Sequence, residues 1–453
     1  MKRKWFGTDG VRGVFGAEPM TTAFAERCGF AAGKFFKPME DGKVRLVIGR
    51  DTRASGQVLQ KALTFGVEAA GGEVVSVGVL PTAAISWFTA GKGCSGGIVV
   101  SASHNPAAEN GIKFFGPDGK KLTDEEEQFF ETLLEETGGH GGNPIADSND
   151  FQPSEEGLQD YRMRLLGTLG SDFHLKGCRI LVDAANGAAW FTTPDILERL
   201  GATVVRLHGE PDGANINADC GSTHPESALR AVREQKGSIG IIHDGDADRV
   251  YMIDEEGELL DGDDLMVILA LDGLSRGTLK HQTLVATSMS NYGLEAALKE
   301  QGGRIVRTDV GDRYVMEAIR SGGYNLGGEQ SGHIILPDLA PCGDGLLVAL
   351  QVLAAAHRSG KRLSESRQVL KKYPQSLQSL RVKEKPPLET IPGLPEALRR
   401  AEESLAGQGR VVLRYSGTEK KIRLLVEAGS SEKIHEVNKK LIEALEPILD
   451  GSR

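Results

Sequence analysis

The sequence predicts an α/β protein in which three similar mixed α/β units and a smaller C-terminal α+β module surround one central cleft. Two observations carry that prediction. An order of apolar strand, amphipathic helix and apolar strand recurs three times along the chain, the pattern of layered α/β folds with mainly parallel pairing. Each recurrence then stops in a polar loop at a strand end, where open α/β sheets gather their ligands.

In the first unit, residues 43–50 read as a buried strand. Ser55 is placed to cap a helix whose apolar positions Val58, Leu59, Ala62, Leu63 and Val67 keep helical spacing. Gly71 and Gly72 end that helix, and Glu73 starts the next strand. The apolar run 96–100 then gives way to Ser101, Ala102, Ser103, His104, Asn105 and Pro106, with Lys113 shortly after. Pro106 stops regular structure and leaves a hydroxyl in an exposed turn, the geometry a nucleophilic serine needs. A turn that merely caps a strand is the plain alternative.

The second unit repeats the order with a strand at 179–183 and a helix that begins at Pro194 and carries Ile196, Leu197 and Leu200. Gly201 closes the helix, a strand follows at 203–207, and the strand at 239–242 runs into His243, Asp244, Asp246, Asp248 and Arg249. The third unit has a strand at 283–287, a helix through Leu294, Ala297 and Leu298, and a break at Gly302 and Gly303. A strand at 304–307 resumes it, and its polar loop holds Glu329, Ser331 and His333.

Thr123 and Glu126 form a capping box, and the glycine-rich stretch 138–144 after that helix reads as the exit from the first domain. The turn at 259–264 opens a helix through Leu265, Ile268, Leu269 and Leu274. After about Ser366 the pattern changes to a looser stretch around Pro392 and Pro395. A strand at 410–413, a turn at 414–419, a strand at 422–427 and a helix carrying Ile434, Val437, Leu441 and Leu445 close the chain. The expected domains are therefore 1–150, 151–257, 258–370 and 371–453.

Composition narrows the function classes. The 453 residues are 40% hydrophobic and 26% charged, ordinary for a soluble protein with room for several cores. A formal net charge of -10 argues against nucleic acid as a partner, because polyanions are bound through basic patches. No apolar run approaches membrane-spanning length, and the N-terminus lacks the apolar segment of a signal peptide. The five cysteines are scattered, odd in number and never paired as C-x-x-C, so they read as reduced thiols of a cytoplasmic protein and not as a disulfide framework or a zinc site.

Asp244, Asp246 and Asp248 alternate over five residues, with Gly245 permitting a bend. Three such carboxylates repel unless a cation neutralises them, and oxygen ligands select a hard ion such as Mg²⁺. A solvated acidic turn is the bland alternative. A Ca²⁺ loop of EF-hand type is not, since its twelfth position would fall on Glu255 after a strand-like run. Arg414, Ser416, Gly417 and Thr418 sit in a turn of small residues where backbone N–H groups, hydroxyls and a guanidinium suit a phosphate, with Arg423 on the next strand as a second cation. A tight hairpin with incidental hydroxyls explains that loop equally well. Glu329, Ser331 and His333 offer a carboxylate, a hydroxyl and an imidazole suited to a sugar, or a simple capping turn. Lys113 and Arg12, taken alone, read as surface charges in glycine-containing turns. Together the parts suit phosphoryl transfer on a phosphosugar, where catalysis is positioning plus charge neutralisation.

These residues resemble the α-D-phosphohexomutases over nearly the whole chain, from the Phe6-Gly-Thr-Asp-Gly-Val-Arg12-Gly turn to the Arg414 loop. The likeness includes Asn215-Ile-Asn, Cys220-Gly-Ser-Thr-His-Pro-Glu226, Val310-Gly-Asp-Arg-Tyr and Gly343-Asp-Gly-Leu-Leu, and Glu329-Gln-Ser-Gly-His favours the glucosamine branch. The resemblance implies four domains around one cleft and a phosphoserine at Ser103, the serine that matches the family nucleophile where Ser101 does not. It implies Mg²⁺ on Asp244, Asp246, Asp248 and the Ser103 phosphate, and sugar contacts from Glu329 and Ser331. Arg249, Arg414, Ser416, Gly417, Thr418 and Arg423 are implied as further substrate contacts. Lys113, His104, Arg12 and His333 are implied around the reacting phosphoryl, one of them as acid/base. The expected reaction interconverts glucosamine 6-phosphate and glucosamine 1-phosphate through a 1,6-bisphosphate, with a bisphosphorylated hexose as activator. Glucose or mannose phosphates as substrate, a Mg²⁺-dependent phosphatase and a non-catalytic sugar-phosphate-binding regulator are the rivals. A homodimer is one option the sequence leaves open. Lys420, His243 and the Ala107–Ala108 pair depart from the family's usual residues.

Overall fold

The computed structural model describes residues 4–7, 9–138, 150–416 and 420–450. In the first domain β1 (Val11–Val14) and α1 (Thr22–Phe35) precede β2 (Arg45–Arg50), α2 (Ala54–Ala69), β3 (Glu73–Val79) and α3 (Thr82–Gly91). Strands β4 (Gly96–Val100) and β5 (Glu109–Phe115) and helix α4 (Asp124–Glu136) complete it. Its sheet runs β1-β5-β4-β2-β3, with β2 parallel to β3 and β4, and β5 antiparallel to β4 and β1. Helices α1 and α2 pack at very close range, since a Cβ at Gly29 would lie 2.1 Å from the Leu63 carbonyl oxygen and one at Gly66 2.0 Å from that of Glu26.

Helix α5 (Glu155–Gly167) leads into the second domain, made of β6 (Arg179–Asp183), α6 (Ala189–Arg199), β7 (Thr203–Leu207), α7 (Glu226–Glu234), β8 (Ile239–His243), β9 (Val250–Ile253) and β10 (Leu259–Leu260). Its order is β10-β9-β8-β6-β7, with β6 parallel to β7 and β8 while β9 returns antiparallel to β8. The third domain holds α8 (Gly262–Ser275), β11 (Thr283–Thr287), α9 (Gly293–Lys299), β12 (Arg304–Thr308), α10 (Asp312–Gly322), β13 (Gly327–Gly328), β14 (Ile334–Ile335), α11 (Gly345–Ser359) and α12 (Leu363–Arg367). Strand β11 is parallel to β12 and β13, and β14 returns antiparallel to β13. The last domain is an antiparallel sheet of β15 (Gln375–Arg381), β17 (Lys421–Ala428) and β16 (Gly409–Tyr415), backed by α13 (Leu394–Leu405) and α14 (Ser431–Leu445).

The three α/β sheets thus share one scheme. A central strand has a parallel neighbour on each side, and one neighbour ends in a polar loop and turns back antiparallel. The sheets are mixed, with six parallel and five antiparallel pairings among the described residues, and the antiparallel returns follow because each polar loop is a short connection and a parallel return needs a crossover. One continuous core joins the second and third domains to one face of the first, whose other face has its own core around α1 and α2.

Local expectations met different fates. Thr123 and Glu126 form their capping box, and Asp261 makes another with Asp264 at the start of α8. Ser55 does not cap α2; it lies inside the first turn, and its hydroxyl accepts from the Asn110 side chain. Pro194 sits inside α6 and not at its start, so the helix begins five residues earlier. The stretch 139–144 lies outside the described residues.

Candidate active site

Ser103 is the third residue after β4, in the loop that turns back to β5. The loop is buried and not exposed, with Ser103 only 1% accessible, because the Asp244 loop of the second domain covers it. Ser103 takes a left-handed backbone, φ 52°, uncommon for a residue with a Cβ. Its N–H donates to Ser101 Oγ at 2.9 Å, and Ser101 Oγ donates to Asp51 Oδ2 at 2.6 Å. Ser101 is thereby consumed as a support. The Ser103 hydroxyl donates to Asp244 Oδ2 at 2.6 Å, and His104 Nδ1 lies 3.3 Å from Ser103 Oγ.

Asp244, Asp246 and Asp248 occupy the equivalent loop between β8 and β9, and one carboxylate oxygen from each lies within 4.8 Å of the others. The turn is made by Ala247, φ 58°. Gly245 is needed for room, since a Cβ there would lie 2.5 Å from the Ser103 carbonyl oxygen. All three aspartates are buried, and burial together with its two neighbours pushes the Asp244 carboxyl up to about 8. Asp246 Oδ2 is used by the Lys113 ammonium and the Thr82 hydroxyl, each at 2.7 Å. Oδ1 of Asp246 and of Asp248 accept no hydrogen bond among the described residues. An all-oxygen donor set in which two buried carboxylate oxygens keep free lone pairs fits a hard divalent cation.

Lys113 lies within β5 and is almost fully buried, so it is no surface charge in a turn. Burial alone would lower its pKa, but Asp246, Asp9 and Asp248 hold it well above the usual lysine value. Its ammonium is 2.9 Å from Asp9 and 3.5 Å from Asp248. Arg12, on β1 and half-buried, pairs with Asp9 at 2.5 Å and donates to the Ala102 carbonyl at 3.4 Å. His104 is pushed down to about 4, first by burial and then by the charges of Arg249 and Arg12. Arg249 closes the loop, its N–H donating to Asp244 Oδ1 at 3.3 Å.

The third polar loop, between β13 and β14, reaches the same place. His333 Nδ1 is 3.5 Å from Asp248 Oδ1 and its Nε2 is 3.9 Å from Asp312. Burial would lower its pKa, but the two carboxylates hold it above the ordinary imidazole value. Glu329 accepts from the Gly311 N–H at 2.9 Å and from the Ser331 hydroxyl at 3.2 Å. A cleft lined by Thr287, Met289, Val310, Glu329 and Ser331 opens beside them.

Arg414 and Arg423 face each other across β16 and β17 in the fourth domain. Burial and the Arg423 charge lower the Arg414 pKa, and its Nε is buried without a hydrogen-bond partner among the described residues. Two like charges directly opposed on a sheet are costly unless an anion bridges them. The Ser416 carbonyl accepts from Lys385 at 2.5 Å, while Gly417 and Thr418 lie outside the described residues. No contact among the described residues links this pair to the Ser103 cluster, whereas Ser103, His104, Lys113, Arg12, the three aspartates, Arg249 and His333 form one network.

Sequence reasoning missed Arg53 and Asp51, and it gave Asn217 no role beyond its place in the Asn215-Ile-Asn motif. Arg53 is fully buried and donates to the carbonyls of Ser103 (2.9 Å), Asn105 (2.7 Å), Glu109 (2.9 Å) and Pro106, with its Nε on Asp51 Oδ2 at 2.9 Å. Asn217, from the second domain, donates to the Ser103 and Asn105 carbonyls at 2.9 and 3.1 Å. The Asp-Thr-Arg run after β2 was visible, but nothing local says that its arginine spans a loop fifty residues away. His243 is also explained. Its buried ring donates from Nδ1 to the Arg249 carbonyl at 3.1 Å and accepts at Nε2 from the Thr193 hydroxyl at 3.1 Å, tying the two ends of the aspartate loop.

Models of the phosphoglucomutase/phosphomannomutase family match the chain in four successive segments. The alpha/beta/alpha domains I, II and III match residues 3–138, 167–257 and 261–373, and the C-terminal domain matches 377–444. The chain is 45% identical to the phosphoglucosamine mutase of Syntrophotalea carbinolica, over 98% of each. Its fold is similar to that of a phosphoglucomutase/phosphomannomutase family protein from Burkholderia thailandensis, with a TM-score of 0.76 at 24% identity over 97% of this chain and 96% of that one. It is also similar to the N-acetylphosphoglucosamine mutase of Aspergillus fumigatus, solved in complex with GlcNAc-6P and magnesium, with a TM-score of 0.63 at 18% identity over 98% of this chain and 96% of that one.

Proposed function

The chain belongs to the phosphoglucomutase/phosphomannomutase family, and from that membership we propose that it interconverts glucosamine 6-phosphate and glucosamine 1-phosphate through a phosphorylated Ser103. The observation that carries the reading is the Ser103 hydroxyl itself, held 2.6 Å from Asp244 in a left-handed turn beside three buried carboxylates.

In this reading the sugar C1 hydroxyl attacks the phosphorus on Ser103. The Ser103 Oγ–P bond breaks as the C1 O–P bond forms, and the proton lost by the sugar hydroxyl is matched by the one that Ser103 Oγ regains. The 1,6-bisphosphate then turns end for end, Ser103 attacks the phosphate at C6, and glucosamine 1-phosphate leaves. A bisphosphorylated hexose recharges a bare Ser103 by the same exchange. Asp244, Asp246 and Asp248, with an oxygen of the Ser103 phosphate, would hold Mg²⁺, which when bound supplies charge neutralisation to the phosphoryl oxygens.

The remaining work falls to the chain's own groups. Lys113 and Arg12 bring fixed positive charge to the reacting phosphoryl, and His104 contacts the Ser103 hydroxyl. Glu329 and Ser331 would accept and donate to the sugar hydroxyls, and the opposed pair Arg414 and Arg423, with Ser416, would hold the phosphate that is not reacting. Burial of Ser103 under the aspartate loop keeps water from the phosphoserine, which favours transfer to sugar over the hydrolysis a phosphatase would perform. A reducing compartment such as the cytoplasm suits the five free cysteines.

The test is intact mass of the purified protein together with turnover of glucosamine, glucose and mannose 6-phosphates in the presence of bisphosphate. A labile phosphate that S103A lacks, with glucosamine 6-phosphate turned over fastest, is expected. A wild-type protein that carries no phosphate and turns over none of the three sugars, even with activator, overturns the proposal.

A further inference from the structure

Behind the aspartate loop lies a second convergence of metal-ligating side chains that the mutase reading does not use. Asp183 is the last residue of β6, His208 follows β7, and Cys220 ends the segment that contains Asn217. One ligand atom from each lies within 4.8 Å of the other two. Asp183 and Cys220 are fully buried, while the His208 side chain is 31% exposed and offers a route from solvent.

The groups are poised and under-used. His208 Nδ1 lies 3.1 Å from Asp183 Oδ2, yet it is buried without hydrogen-bond geometry to any partner among the described residues. Asp183 has lone pairs beyond those that accept from the Ala185 and Gly221 N–H groups. The backbone is bent to bring the three together, with left-handed φ values at Ala185, Asn186, His208, Asn217 and Asp219. Burial, with Asp183 and Asp219 nearby, pushes the Cys220 thiol up to about 12, so without a metal it is an inert protonated group.

We propose that Asp183, His208 and Cys220 form a second divalent-metal site, of zinc-class preference, that braces the Asn217 segment against the Ser103 loop. One oxygen, one imidazole nitrogen and one sulfur make a borderline-soft donor set that suits Zn²⁺ or Co²⁺, with water at the fourth position, and disfavours Mg²⁺. Coordination releases the thiol proton to solvent, and the thiolate and carboxylate then balance the metal's double charge. The mechanical consequence follows from position. A Cβ at Gly221, next to Cys220, would lie 2.7 Å from the His243 carbonyl oxygen, and Asn217 holds the Ser103 and Asn105 carbonyls, so the site abuts both catalytic loops. Scattered spacing hid it from the sequence, where the cysteines argued against zinc.

The test adds Co²⁺ to the full-length protein in excess Mg²⁺ and records the thiolate-to-cobalt absorption, with Zn²⁺ as competitor. One tightly bound Co²⁺ per chain is expected, with a thiolate band that Zn²⁺ displaces and Mg²⁺ does not. C220S should abolish the band. H208N, which tolerates the left-handed backbone, should weaken Co²⁺ binding at least tenfold, and D246N should leave the band intact. Circular dichroism confirms that each variant is folded. A folded wild-type protein with no thiolate band, or a band that survives both C220S and H208N, overturns the proposal. The assay is independent of the sugar substrate, so its failure would leave the mutase reading standing.

Discussion

Replacing Arg53 with lysine is expected to cripple the enzyme without touching any group that meets substrate. The guanidinium is wholly buried and spans five acceptors, the Asp51 carboxylate and the carbonyls of Ser103, Asn105, Pro106 and Glu109. A lysine keeps the charge beside Asp51 but radiates its donors from one nitrogen, so it cannot cover this span. Two lost bonds from a charged donor, at about 1.5 kcal/mol each, amount to about 3 kcal/mol. Domains of this kind have only about 5–15 kcal/mol in hand, so the first domain should melt earlier by roughly 10 °C. Because the loss falls on the backbone that sets the Ser103 turn, kcat should drop at least tenfold at a temperature where the variant is folded, with KM little changed. Scanning calorimetry and steady-state kinetics on R53K read both effects. An unshifted first transition with kcat within twofold of wild type would refute the idea that Arg53 shapes the nucleophile loop.

His243 should impose a pH dependence on stability. Burial pushes its pKa down to about 4, so between the ordinary imidazole value near 6.5 and about 4 the unfolded chain binds a proton that the native chain does not. Stability should therefore fall by about 3 kcal/mol as pH drops through that window, and H243Q should remove that slope from the difference curve of thermal unfolding against pH. An identical slope in H243Q would contradict it. Replacing Asp246 with asparagine can keep the Thr82 contact but removes a carboxylate from the trio. Turnover should fall by about a hundredfold, equivalent to about 2.7 kcal/mol, with a raised Mg²⁺ requirement in titration, and unchanged kinetics would exclude Asp246 as a ligand.

How much of this was legible depended on the range of the interaction. The alternation of strand and helix is local, so three units and their polar loops could be read from periodicity alone, and so could the Thr123 cap. The antiparallel returns β5, β9 and β14 were not, because nothing in a short apolar run states which way its partner points. Pro194 was misplaced because the first turn of α6 is built by Ala189 and Trp190, which carry no start signal. Ser103 looked exposed because the loop that buries it comes from another domain. Arg53 and the Asp183, His208 and Cys220 cluster were invisible for the same reason, since their partners are distant in sequence and their residue types are common.

Charge balance in the cleft makes the last prediction. Five carboxylates, those of Asp9, Asp244, Asp246, Asp248 and Asp312, face four fixed cations, Arg12, Lys113, Lys121 and Arg249, and the His333 imidazole. With Asp244 pushed up to about 8, this buried network is close to neutral before any phosphate or metal arrives. A phosphoryl group on Ser103 alone adds a charge of about -2, and a divalent cation alone adds the opposite, each a cost in so dry a place. Added together they leave the balance where it was. Metal affinity and phosphorylation of Ser103 should therefore be coupled, with Mg²⁺ binding at least tenfold tighter, about 1.4 kcal/mol, to the phosphorylated enzyme than to the dephosphorylated one. Titration calorimetry on the two forms, separated by ion exchange and verified by intact mass, measures the coupling directly. Equal affinities would mean that Lys113 and its neighbours already absorb the phosphoryl charge, and the aspartates would then need another explanation for being buried together.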